Sequence, residues 1–166
     1  MSTDGVTEPP LDSDVPWLTG QEQAAWRTHL EVNRLLTHQL ERDLQPFGLT
    51  MNDYEILVHL SEAEDHRTRM TDLAAATLQS KSRLSHQITR MENAGLVRRE
   101  HCESDRRGLF AVLTETGWET MRKVAPHHVA SVREHFIDLF SPEGLATLHT
   151  SLTPVAEHLR GCRGRP

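Results

Sequence analysis

Cysteine is nearly absent from this chain. Its two copies, Cys102 and Cys162, stand 60 positions apart and make no CxxC or Cys/His spacing, so neither a disulfide framework nor a zinc finger is indicated. No apolar run approaches the ~18–20 residues that a membrane span needs, and Met1 to Pro16 is acidic and proline-bearing, unlike a secretion signal. The expectation is a cytoplasmic protein without membrane contact. Nothing resembles a nucleophile triad, a phosphate-cradling glycine loop or a paired-carboxylate site. No enzymatic activity, catalytic residue, metal site or cofactor is therefore expected. What is present is 166 residues of ordinary hydrophobic content, long enough for one domain or compact subunit with a proper core.

The charge becomes informative when divided along the chain. The formal net charge is −6, yet Arg67 to Arg107 holds nine Lys/Arg against five Asp/Glu, a local +4 that leaves −10 for the remainder. A basic island in an acidic body suits a nucleic-acid site on one face. Charge that merely fluctuates along a surface also produces such blocks, so the pattern needs a structural setting.

That setting is helical. Residues 1–18 read as a disordered arm. Thr19 with Glu22 forms a capping box for a helix carrying Trp26, Leu30, Leu36, Leu40 and Leu44, which Pro46 and Gly48 end. Thr50 with Asp53 starts a second helix, apolar on most sides. Thr71 is the expected cap of a short helix over 72–77, with Leu73 and Ala74 inward. Ser80 caps a longer one, Lys81 to Ala94, with Leu84, Ile88 and Met91 inside and Gly95 at its left-handed terminus. Two helices joined by three or four residues, the second basic outside and apolar inside, is helix-turn-helix syntax. Leu96–His101 and Leu109–Leu113 read as strands joined by a loop of about seven residues, a wing. Thr114 caps a helix to about Phe140 that Pro126 should kink. Ser141 and Pro142 open the last helix, with a stripe of Leu145, Leu148, Leu152, Val155 and Leu159. The fold class expected is mostly α (α+β), a winged helix-turn-helix lobe over 49–114. Helices over 19–48 and 115–160 form a dimerisation region, since their stripes lack partners within so small a lobe. A basic tail, 161–166, frays.

In the second helix of such a motif, outward residues near the N-terminus face base edges. Here these are Lys81, Ser82, Arg83, Ser85, His86, Thr89 and Arg90. Arg83 and His86 suit guanine acceptors, whereas Ser80, Ser82, Thr89 and Arg90 suit phosphates. In the wing, Arg106 and Arg107 are placed to enter a minor groove and Asp105 to orient a neighbouring arginine, with Gly108 permitting the turn. A solvated surface helix and an ordinary charged hairpin are the plainer readings of the same residues.

Residues 70–117, "MTDLAAATLQSKSRLSHQITRMENAGLVRREHCESDRRGLFAVLTETG", resemble the DNA-binding core of the multiple-antibiotic-resistance regulator (MarR) family. The marks are Leu73-Ala74, Gly95-Leu96-Val97, Asp105-Arg106-Arg107 and Leu113-Thr114-Glu115-Thr116-Gly117, and the flanking helices extend the likeness to about 20–160. Leu78 departs from it, standing where many members carry glycine. The resemblance implies a homodimeric regulator, usually a repressor, that binds a pseudo-palindromic double-stranded DNA operator and releases it when a small, often phenolic, effector binds. It puts that effector among Trp26, His29, Leu30, Asn33, Arg34, Met51, Tyr54, Leu57 and His59, with Arg34 pairing a carboxylate or phenolate, although Trp26, Tyr54 and Leu57 also read as core. The alternatives are a zinc-responsive regulator of the same fold through His127, His128 and His135, a redox-responsive one through Cys102, and a winged-helix protein-interaction module that never touches DNA.

Overall fold

The computed structural model describes the backbone of residues 15–102 and 105–162 and, except at 102–107, their side chains. Residues 1–14 of the arm expected over 1–18, the wing tip at 103–104, the side chains of Cys102, Asp105, Arg106 and Arg107, and residues 163–166 of the expected tail lie outside the described residues. The chain divides into two units, 1–35 and 36–166.

In the first unit, helix α1 (Gly20–Leu44) begins at a reciprocal cap. The Thr19 N–H donates to Glu22 Oε2 at 2.7 Å and the Glu22 N–H to Thr19 Oγ1 at 3.3 Å, satisfying two orphan donors. Every residue from Val15 to Leu35 is exposed.

In the second unit, α1 ends in a 3₁₀ turn over Gln45–Phe47, closed by Gly48 at φ +70°. The elements that follow are α2 (Met51–Glu62), β1 (Arg67–Arg69), α3 (Met70–Ala76), α4 (Lys81–Asn93), β2 (Val97–Cys102), β3 (Asp105–Leu113), α5 (Glu115–His135) and α6 (Pro142–Cys162). Leu44, Ile56, Leu57 and Leu60 meet Leu73, Leu84, Ile88 and Met91, with Val97, Ala111, Leu113 and Val124 completing one buried cluster. The helix-turn-helix pair and the strands thus share a core, and α4 turns its polar side outward.

The strands form an antiparallel sheet in the order β1-β3-β2. β1 was not expected: three residues, Arg-Thr-Arg, carry no apolar signal and are strand only because β3 offers an edge, pairing Arg67 with Val112 and Arg69 with Phe110. The wing loop is shorter than expected. β3 begins at Asp105, paired with Cys102 across an irregularity, so Asp105 to Gly108 belong to a strand. The ladder of backbone hydrogen bonds overrides the turn preference of Asp and Gly there. Helix α3 starts at Met70 without a side-chain cap, and Thr71, expected to cap it, instead donates its hydroxyl to Asp72 at 3.2 Å. Helix α5 runs continuously through Pro126 and stops at His135, where Phe136 (φ −145°, ψ −63°) breaks it before a 3₁₀ turn at Ile137–Leu139.

Leu78, the departure noted in the sequence, sits between α3 and α4 at φ +57°. A left-handed leucine costs about 1–2 kcal/mol. The turn closes anyway through hydrogen bonds from the Leu78 N–H to Ala75 O (3.4 Å) and from the Gln79 N–H to Ala74 O (3.0 Å).

Thr114 joins the wing to α5. Its hydroxyl accepts from the Gly117 N–H at 3.0 Å and donates toward the Gly95 and Leu96 carbonyls at 2.6 and 3.0 Å. A Cβ on Gly117 would stand 2.0 Å from the Leu96 oxygen and 2.7 Å from Leu113 Cδ1. Helix propensity favours alanine over glycine by about 1 kcal/mol, but this overlap is with backbone and cannot be relieved by a rotamer. Gly117→Ala should therefore destabilise the protein by about 3 kcal/mol or more, read as a fall in the urea midpoint; a stabilised variant would show the approach to be looser than described.

Candidate nucleic-acid interface

The recognition candidate α4 starts at Ser80, whose Oγ accepts from the Arg83 N–H at 3.3 Å and lies 3.3 Å from Ser82 Oγ. Lys81, Ser82, Arg83, Ser85, His86, Thr89 and Arg90 are all exposed, while Leu84, Gln87, Ile88 and Met91 are buried. One face of the helix thus carries every side chain assigned above to DNA on this element. The first two turns of that face hold no acidic residue.

The angle of α4 is held by one buried carboxylate. Asp53, only 1% exposed, closes the cap of α2 by accepting from the Thr50 N–H at 2.9 Å and the Thr50 hydroxyl at 2.7 Å. Its other oxygen accepts from Gln87 Nε2 at 3.1 Å and Arg90 Nη2 at 2.5 Å. Burial pushes the Asp53 carboxyl up, but the hydrogen bonds from Thr50, Arg90 and Gln87 outweigh it and hold it below the ordinary value. Arg90 therefore has a structural partner, although half of its side chain remains exposed.

Thr89 donates its hydroxyl to the Ser85 carbonyl at 3.0 Å and accepts from Arg99 Nη2 at 2.9 Å. On the sheet face opposite the core, the guanidinium carbons of Arg67 and Arg69 lie 5.1 and 5.4 Å from the Phe110 ring centroid, within cation–π range. Arg98 pairs with Glu100. Sequence reasoning placed Asp53 only as the cap partner of Thr50 and did not single out Arg67, Arg69 or Arg99 as residues of this region. The period-two alternation of Arg67 and Arg69 was the available signal, but it spans too few residues to read.

The residues assigned to an effector occupy different settings. Trp26 is 53% exposed and stacks on His29 at 5.8 Å, with Asn33 Nδ2 2.9 Å from His29 Nε2; Leu30 and Arg34 are also exposed in this first unit. In the second unit Leu57 and Tyr54 lie in the core, with Met51 and His59 half-buried. The Tyr54 ring meets His128 at 4.3 Å, and burial raises the phenol and lowers the imidazole. Two grooves of about 580 and 560 Å³ lie elsewhere, the first along Phe136, Leu145 and Leu152, the second between Arg42, Phe47, His127 and Glu134. His127 rests on Phe47 at 5.0 Å and His135 lies 3.7 Å from Asp43. Among the described residues no three His, Cys, Asp or Glu gather as a metal site, and no helix is long and apolar enough to cross a membrane.

A family model described as "MarR family" matches residues 47–108. The structure resembles that of AbsC, a MarR family transcriptional regulator from Streptomyces coelicolor, at 80% sequence identity and a TM-score of 0.86, over 89% of this chain and 99% of that one. It also resembles Sco3205, a MarR family regulator of the same organism solved in complex with DNA, at 43% identity and a TM-score of 0.85, over 89% and 93% of the two chains. In sequence it is 27% identical, over 77% of each chain, to the HTH-type transcriptional regulator PecS of Dickeya dadantii.

The Asp53 tie makes a pH prediction. Because the folded carboxyl titrates below the unfolded value of about 4, its ionisation stabilises the fold above that value, and the contribution is lost as the pH falls through the folded pKa. Asp53→Asn should cost about 1–3 kcal/mol near neutrality, and the gap from the native protein should close below pH ~4. Urea titrations of both proteins across this range check it; a gap independent of pH would remove the carboxylate's charge from the account.

Proposed function

The chain belongs to the MarR family of transcriptional regulators, and we propose that it acts as a repressor that binds a pseudo-palindromic operator as a homodimer and releases it on binding a small aromatic or phenolic effector. The observation that carries the DNA reading is the outer face of α4. Lys81, Ser82, Arg83 and His86 stand exposed there on a helix whose inner face is locked into the core and onto Asp53. In this reading Arg83 and His86 read base edges, and Ser80, Lys81, Ser82, Ser85, Thr89 and the exposed part of Arg90 meet phosphates. Arg106 and Arg107 carry the wing into the flanking minor groove, with Asp105 orienting them.

The homodimer is supported by apolar side chains without cover. Trp26, Leu30 and Leu35 in the first unit, and Leu139, Leu152, Val155 and Leu159 in the second, are 43–75% exposed, a pattern that suits burial against a second copy. The two terminal helical segments, 19–48 and 115–160, supply that interface, and the lobe 49–114 binds DNA with half-sites about 34 Å apart.

Selection from random or genomic duplexes tests the reading, with enrichment of an inverted repeat expected and failure to enrich any sequence counting against it. Affinity for the selected site should fall steeply with salt, as counterion release requires. Arg83→Ala should relax preference at one base position by about 1–3 kcal/mol; a uniform loss across sequences would reassign it to the backbone.

A further inference from the structure

We propose that Arg99 is a positioning residue for DNA recognition, clamping the wing to the recognition helix and so setting the wing's reach relative to the base-reading side chains. This rests on the DNA-binding reading above. Arg99 is the third residue of β2, and its side chain crosses to α4. Nη1 donates to Glu92 Oε2 at 2.5 Å, Nη2 donates to the Ser85 carbonyl at 2.8 Å and to Thr89 Oγ1 at 2.9 Å, and the Arg99 backbone N–H donates to Glu92 Oε1 at 3.0 Å. Ser85, Thr89 and Glu92 follow one another at four and three residues, one stripe of the helix. A single planar fork therefore grips two turns of α4 from the root of the wing.

The joint that this grip spans is tied elsewhere to the start of α5, where the Thr114 N–H and hydroxyl donate to the Leu96 carbonyl at 3.2 and 3.0 Å. Between α4 and β2 the chain passes through Ala94, Gly95 and Leu96, with Gly95 at φ +74°. The backbone hydrogen bonds there run from the Ala94, Gly95 and Leu96 N–H groups back to Arg90, Glu92 and Met91. They close the helix end, and toward the outer turns of α4 the strand is held by the Arg99 side chain. Beyond Arg99, β2 leads directly to Cys102 and the strand partner Asp105, so a change of pitch at the joint is magnified at the wing. The guanidinium is already neutralised by Glu92, and its side chain is 20% exposed against 52% for Arg98. It is built as an internal tie. Lysine, a point charge on a flexible stem, cannot reproduce a fork shared by a carboxylate, a carbonyl and a hydroxyl.

The test uses the full chain with its selected operator and a scrambled duplex, titrated over a salt series, with thermal melts of each variant. Arg99→Met should weaken operator binding by about tenfold or more through lost preorganisation, leave scrambled-duplex binding nearly unchanged, and leave the salt slope unaltered. A slope lowered by about 0.9, with equal losses on both duplexes, would make Arg99 a phosphate contact and overturn the proposal. Arg99→Lys should remain weak on the operator, and full rescue by lysine would overturn it. Glu92→Gln decides the matter even where Arg99→Met fails to fold. Loss of operator preference is expected, because the fork loses its charged anchor; tighter binding would show an arginine freed for phosphate and sink the clamp. A native protein that does not distinguish operator from scrambled DNA would count against the DNA reading itself, whereas native discrimination that survives in Arg99→Met counts against the clamp alone.

Discussion

A carboxylate buried to 1% exposure ties the cap of α2 to the middle of α4, and the presentation of the polar helix face depends on it. An ionised group in such a place is costly unless its lone pairs are met. Here Thr50 takes one oxygen, and Gln87 and Arg90 take the other. The apolar contacts of Leu84, Ile88 and Met91 hold α4 against the core without fixing its rotation, because hydrophobic attraction is not directional. The hydrogen bonds to Asp53 are directional, and they select the rotation at which Lys81, Ser82, Arg83 and His86 face out.

The wing is held by a comparable device on its other side. The sheet has only three strands, one of them three residues long, and so small a sheet does not orient itself. Its root is packed against α5 by the close approach of Gly117 to Leu96 and by Thr114, and against α4 by Arg99. The lobe can thus be seen as one helix with two fixings, a carboxylate beneath it and a guanidinium beside it. Both are polar ties laid over an apolar core that supplies most of the stability but little of the geometry.

Much of this was legible in the chain because the signals were local. The caps at Thr19, Thr50, Ser80, Thr114 and Ser141 depend on a hydroxyl and an N–H three residues away, which spacing alone reveals. Gly48 and Gly95 at positive φ are likewise local requirements, as is the inward stripe of α4. The winged helix-turn-helix class followed from such signals taken together, and the family from the resemblance carried by residues 70–117. Strand β1, the start of β3 at Asp105 and the uncapped start of α3 were not legible, because each depends on a neighbour brought from elsewhere in the chain.

The same division runs through the interface. Which residues are basic, and that Lys81, Arg83 and Arg90 fall on one helix and Arg98, Arg99, Arg106 and Arg107 on one hairpin, is determined by the sequence alone, through periodicity and turn chemistry. Which of them are free for a partner is decided only by the tertiary structure. Arg90 and Arg99 look like their neighbours in composition, yet Asp53, 37 residues from Arg90, and Glu92, seven from Arg99, engage their guanidiniums. A hydrogen bond of this kind requires atoms to be brought within about 3 Å in a definite direction. No pattern of residue types specifies that until the core has packed and set the distance between the elements that carry them.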